Sequence, residues 1–211
     1  MPGGRHRRAS LLTAGIAASL LALGAGAGRT APLASPGPPG PEGVPIPAGP
    51  ELAPTGDAAA IGPVDKILCQ PHEQVLFHIH AHLTVFVDGR ARRIPAGIGI
   101  ASPQAQATPD GPFVVAGSCF SWLHTHAADG IIHIESPVQR TFTLGDFFDV
   151  WGRPLSRTRV AGATGTVTAF VGGRPYSGNP RTIKLTKHAQ IQLDVGRPLV
   201  KAVTITSWNG L

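Results

Sequence analysis

From Val75 to Val87 every odd-numbered residue is apolar: Val75, Phe77, Ile79, Ala81, Leu83, Val85 and Val87. The even positions read Leu76, His78, His80, His82, Thr84 and Phe86. A strand sends alternate side chains to opposite faces, so the pattern predicts one long strand over 74–87, apolar on one face and histidine-bearing on the other. Asp88-Gly89 follows as a two-residue hairpin signal, because a type I′ turn needs positive φ at both positions. The chain then returns through Arg90 to Ile94, Pro95 ends that strand, and 96–112 reads as loop.

Short alternating runs at 113–116, 120–126 and 131–135 predict three further strands. Ala127-Ala128-Asp129-Gly130 is a turn between the last two. A four-residue loop there sets His126 opposite Ile131 and His124 opposite His133, with cross-strand Cβ atoms ~4.5–5.5 Å apart. Trp122, His124, His126, His133 and Glu135 then share one face, and Leu123, Ile132 and Ile134 take the core face. Residues 143–151 form the one clear helix. Thr143 is placed to cap it, Asp146 sits at the capping-box position and Gly152 follows the last turn. Leu144, Phe147, Phe148 and Trp151 lie on one face at helical spacing, which is a core-packing pattern. Strands are also expected at 167–171, 181–185 and 189–195, with a last edge strand at 202–208. Phe170-Val171-Gly172-Gly173-Arg174 loosely echoes Phe86-Val87-Asp88-Gly89-Arg90, a weak hint of two related hairpins. The expected fold is mainly β: an antiparallel sandwich or partly open barrel of hairpins with one short packed helix.

Histidine is where this pattern acquires chemistry. Same-face neighbours on a strand are ~6.6–6.8 Å apart, a spacing from which imidazoles converge on one ion with bonds of ~2.0–2.1 Å. His78, His80 and His82 project from one strand, and His124, His126 and His133 from a hairpin. These six are the candidate metal ligands. The bland alternative is the wet face of an amphipathic strand, where any polar residue serves. Glu135 is a candidate ligand, a second carboxylate partner fixing a histidine tautomer, or a surface acid. His72 lies in a loop within swinging distance, and His188 reads as a turn residue. Met1 is the only methionine, which removes the thioether sites of Cu(I) carriers. Imidazole sites suit zinc and copper.

Composition adds the setting. Arg5, Arg7 and Arg8, then an apolar run from Leu11 to Leu23, then Ala25-Gly26-Ala27 read as a signal peptide over 1–27. The run is short for a membrane span, which needs ~20 residues; retention as an uncleaved anchor is the alternative and the only membrane link. No cysteine stands near the junction to carry a lipid. Residues 28–63 are rich in Pro, Gly and Ala and are expected to be a disordered linker. Residues 64–211 are left as one histidine-rich β domain. The formal charge of +6 falls to +3 once the three leader arginines are set aside from the 18 basic and 12 acidic residues. No basic stripe with interleaved aromatics remains, so nucleic acid is not an expected partner.

Cys69 and Cys119 are the only cysteines. In an exported chain an even count favours a disulfide. The competing reading makes them thiolate ligands, but strand parity sets Cys119 opposite His124 and His126 unless a bulge intervenes.

His80-Ala81-His82-Leu83, Ile94-Pro95-Ala96-Gly97-Ile98-Gly99, Leu123-His124-Thr125-His126, Asp129-Gly130-Ile131-Ile132-His133-Ile134-Glu135 and Leu144-Gly145-Asp146-Phe147-Phe148 together carry a resemblance. The chain resembles a family of exported bacterial proteins, largely uncharacterised, with HxHAHL and LHTHxxDGxIHIE motifs. The resemblance spans about 69–200 and implies export and a histidine-built site; it supplies no reaction. Three functions are open at this point. The first is an exported protein that binds copper or zinc through histidines of two hairpins and handles metal outside the cytoplasm. The second is a metalloenzyme with an open coordination position, a hydrolase or an oxygen-using enzyme. The third is a structural or partner-binding domain with incidental histidines.

Overall fold

The computed structural model describes residues 1, 3–4, 37–56 and 62–211. Most of the expected signal peptide and parts of the linker lie outside these. In chain order the elements are β1 (Cys69–Gln70), β2 (Phe77–Val87), β3 (Arg90–Arg92), β4 (Ile100–Ala101), β5 (Gln104–Thr108), β6 (Gly111–Ala116), β7 (Cys119–Ser121), β8 (Leu123–His124), β9 (Ile131–Ser136), α1 (Leu144–Val150), β10 (Arg159–Val160), β11 (Ala163–Thr164), β12 (Val167–Val171), β13 (Arg174–Tyr176) and β14 (Ala189–Val195).

The main sheet runs β13-β12-β14-β2-β9-β8, with β3 also paired to β2. Asp88 and Gly89 both have positive φ, 49° and 73°, so the hairpin from β2 to β3 is the expected one. The centre of the sheet is a parallel ladder, in which β14 lies beside β2 from Ala81 to Val87. Every other ladder among the described strands is antiparallel. The fold is mainly β, matching a sandwich with one short helix, and no closed barrel forms among the described residues.

Parity sorts the two faces of this sheet as the sequence requires. Ala81, Leu83, Val85, Leu123, Ile132, Ile134, Ile191, Leu193 and Val195 enter the core. Helix α1 covers that face with Leu144, Phe147, Phe148 and Trp151, all fully buried. Burying each such side chain contributes ~1.5–3 kcal/mol, so packing rather than intrinsic propensity holds this two-turn helix. Thr143 caps it in a capping box with Asp146.

Several expectations are corrected. Val75 and Leu76 form an exposed turn, so β2 begins at Phe77. The loop expected over 96–112 contains β4 and β5. The Gln-Ala-Gln-Ala-Thr run of β5 alternates only through small alanines, is largely exposed, and is held by pairing with β6. Residues 181–185 form no ladder strand, because Asn179 and Pro180 start a short 3-10 turn that consumes the run. Residues 202–208 stay extended without a ladder: Gln190 and Gln192 use their side-chain amides as surrogate backbone, bonding Ile205, Val203 and Val200.

The largest correction concerns the linker. Residues 37–56 pack on the domain instead of forming a tether. Pro39 and Pro45 bridge a small loop with Glu42 at its tip. Val44 and Leu52 are buried, and Arg93 ties the stretch down, its carbonyl accepting from Leu52 N–H and its N–H donating to the Pro50 carbonyl. Proline lowers the entropy lost on ordering, so few apolar anchors suffice.

Cys69 and Cys119 form a disulfide with Cα atoms 5.4 Å apart. Such a bond suits an oxidising, exported location. It closes a separation of 50 residues, which is worth about 3–4 kcal/mol in the chain-entropy model. The Cys69→Ser/Cys119→Ser variant is expected to lose that amount in urea unfolding; a change under ~1 kcal/mol would show that the crosslink constrains little.

Candidate metal centre

Three rows of the sheet assemble the site. His80 lies directly opposite His133, and His78 opposite Glu135. On the other side of β9, His124 lies opposite His133, the register expected from the turn length. His133 is therefore flanked by histidines of both neighbouring strands.

His126 arrives by a different route. The expected strand over 120–126 breaks at Trp122, whose ring turns into the core rather than joining the histidine face. β8 then ends at His124, and Thr125 is clamped beneath. Its hydroxyl donates to the Pro95 carbonyl (2.8 Å) and accepts from Ile98 N–H (3.1 Å), while Gly97 N–H donates to its carbonyl (2.8 Å). This is what the Pro95–Gly99 segment does: it fixes the residue between two histidines. Gly99, with φ +73°, comes so near Leu123 that a Cβ would stand 2.3 Å from the Leu123 carbonyl oxygen.

Two groups of side chains are positioned to hold a metal ion. The first is His78, His80, His133 and Glu135; the second is His124, His126, His133 and Glu135. In the first, successive ligand atoms form a closed ring. His78 Nε2 to His80 Nε2 is 3.1 Å, His80 Nε2 to His133 Nδ1 is 3.2 Å, His133 Nδ1 to Glu135 Oε1 is 3.3 Å, and Glu135 Oε1 to His78 Nε2 is 3.0 Å. In the second, His124 Nε2 and His126 Nε2 are 3.1 Å apart, and Glu135 Oε2 is 3.9 Å from His124 Nε2.

The remaining ring nitrogens are tied back. His124 Nδ1–H donates to the Ser121 carbonyl (2.8 Å) and His126 Nδ1–H to the Val114 carbonyl (2.6 Å). His133 Nε2–H donates to Glu42 Oε1 at 2.7 Å. A neutral imidazole has one N–H, so these bonds leave His124 Nε2 and His126 Nε2 bare, assigned from the hydrogen-bond network. Two bare nitrogens at 3.1 Å repel unless a proton or cation lies between them.

Electrostatics disfavours the proton at that pair. Burial, then the charge of neighbouring His133, holds His124 well below its ordinary value and lowers His126. Burial and the same neighbour push His80 down to about 3. His133 goes the other way. Burial opposes its charge, but hydrogen bonds to Glu135 and Glu42 outweigh that and raise it to about 9. Glu135 is lowered by His133 despite its burial. These shifts favour one buried cation, His133, hydrogen-bonded to Glu42 and Glu135 in the metal-free cluster.

His82 stands apart from both groups. Its ladder partner is Ile131, and its Nε2–H donates to the Asp129 carbonyl (3.0 Å). Gly130 makes this approach possible: with φ +90° it lies against β2, and a Cβ there would sit 2.3 Å from the Leu83 carbonyl oxygen. Burial lowers His82 to about 4. It lines a cavity of about 420 Å³ with Thr84, Phe86 and the 203–207 segment. His72 is exposed, with only its carbonyl engaged, by Gln74. His188 sits in a turn at φ +59° and bonds the Leu211 carbonyl.

Two carboxylates escaped the sequence reading. Glu42 is the buried partner of His133, 91 residues away in the chain. Its only local signal is that it is an isolated acid in a Pro-Gly run. Glu73 Oε1 lies 3.4 Å from His126 Nε2 and 4.0 Å from His124 Nε2. It is delivered by the loop that the disulfide anchors to β7, so the bond through Cys69 serves the site as well as the fold.

Comparison with known proteins returns no match among family models, curated proteins or solved structures.

Proposed function

We propose that this chain is an exported protein that binds a divalent transition metal, copper or zinc, and handles it outside the cytoplasm. The observation that carries the reading is the facing of bare imidazole nitrogens at 3.1 Å, beside a ring of four donor atoms 3.0–3.3 Å apart. A tetrahedral ion with bonds of ~2.0–2.1 Å has ligand–ligand edges of about 3.3–3.4 Å. The four donor–donor edges of the ring, 3.0–3.3 Å, are close to that. Glu42, orienting His133 from behind, is the carboxylate–histidine arrangement that raises ligand basicity. The disulfide and the leader-like start support export, as does the resemblance carried by the HxHAHL and LHTHxxDGxIHIE motifs.

Binding is favoured over catalysis because protein atoms supply four donors in the first group. An enzyme needs a free coordination position and room for substrate, and the cavity of about 420 Å³ is lined by His82 and by none of the four donors of the first group. An incidental polar face is disfavoured because His80, His124, His126 and His133 are all buried, where an imidazole without a task costs stability.

The test is metal analysis of untagged protein exposed separately to Zn²⁺ and Cu²⁺, beside a His124→Ala/His126→Ala variant. Wild type should retain stoichiometric metal through desalting, and the variant should lose part or all of it. Metal-free wild type, or equal retention by the variant, would overturn the reading.

A further inference from the structure

We propose that the cluster holds two ions rather than one, with the Glu135 carboxylate bridging them. This rests on the reading of the cluster as a metal site and adds its nuclearity. Glu135 turns its two oxygens to different histidine sets. Oε1 meets His78 Nε2 at 3.0 Å and His133 Nδ1 at 3.3 Å, while Oε2 faces His124 Nε2 at 3.9 Å. Glu135 is only 3% exposed, and Oε2 has no hydrogen-bond partner. A buried carboxylate oxygen left without a donor is costly, and this one points at a bare imidazole nitrogen, which also cannot donate. A cation between them satisfies both.

The donors divide without conflict. His78 Nε2, His80 Nε2, His133 Nδ1 and Glu135 Oε1 form the first position. His124 Nε2, His126 Nε2 and Glu73 Oε1, with Glu135 Oε2 completing it, form the second. His133 has only Nδ1 to give, because Glu42 holds Nε2–H, so it serves the first position alone. The second position then depends on Glu73, which is 37% exposed on a loop. That makes it the more open and exchangeable of the two. A tight position beside an exchangeable one is suited to taking up metal from solution and passing it on.

Equilibrium titration with Zn²⁺ against a chromophoric chelator counts the ions, and Cu²⁺ loading followed by electron paramagnetic resonance reads their coupling. Wild type should take up two Zn²⁺ per chain. At two Cu²⁺ per chain it should show a spin-coupled signal, with loss of intensity relative to total copper. His78→Ala/His80→Ala and His124→Ala/His126→Ala should each take up one, with uncoupled copper spectra. Glu73→Gln should weaken the second ion at least tenfold and leave the first unchanged. One ion per wild-type chain would overturn the two-ion arrangement while leaving metal binding intact, and no ion at all would overturn both. Should a double variant fail to fold, the wild-type stoichiometry and spin coupling decide alone.

Discussion

Replacing His133 by alanine should destabilise the metal-free protein by about 3–5 kcal/mol near neutral pH, the usual cost of breaking a buried ion pair by removing one partner. His133 is the cation between Glu42 and Glu135, which are 6% and 3% exposed. Glu135 keeps His78 at 3.0 Å. Glu42 keeps nothing: Oε1 bonds only His133, and Oε2 has no partner. The orphaned, buried carboxylate must find another partner or pull the 37–56 segment off the sheet. A second change, Glu42→Gln, should recover part of the loss in the double variant, because a neutral amide is cheaper to strand than a charge. Alone, Glu42→Gln still accepts from Nε2–H and should cost little stability but ~10–100-fold in metal affinity. Urea unfolding of the four proteins closes the cycle. A His133→Ala effect under ~1 kcal/mol would mean that the three groups do not act as a pair and its counter-charge.

The strands around this site were legible because apolar and histidine-bearing positions alternate there, although both faces are buried. Along 77–87 and 131–135 the alternation separates core residues from histidines, and the four-residue turn sets the His124–His133 register. The helix was legible through Thr143, Asp146 and its apolar stripe. Local pattern failed where position depends on distant partners. Trp122 breaks its strand because its ring has a place in the core, and Thr125 is held by a loop about 30 residues earlier. His82 belongs to the right face yet leaves the site, because its partner Ile131 is the first residue of β9 and the Asp129 carbonyl accepts its Nε2–H. Glu42 and Glu73 were invisible for the same reason. A carboxylate in a loop carries no periodicity, and only the folded chain brings it to a histidine.

Metal affinity should rise about tenfold per pH unit between pH 7 and 8.5, the slope of one displaced proton. Spacing alone would predict several histidines losing the ion together near ~6.5. Burial changes that. His80, at about 3, and His124, held well below its usual value, are already neutral and offer a metal no proton to displace. His133, at about 9, is protonated in the metal-free protein and must release that proton before Nδ1 can bind. Raising the pH removes the competitor, so affinity climbs until about pH 9 and then levels. The same shifts set the stability of the metal-free fold. Histidines with lowered values cost stability as pH falls below ~6.5, because the unfolded chain binds their protons more readily. His133 contributes fully below ~6.5 and loses its contribution as pH rises through about 9. Metal-free protein should therefore melt highest near neutrality and fall on both sides, while loaded protein should keep its stability on the alkaline side. Calorimetric titration with Zn²⁺ in two buffers of different ionisation enthalpy reads the proton directly. Release of none would remove His133 from the ligand set, and release of three would mean that burial does not hold the other imidazoles neutral.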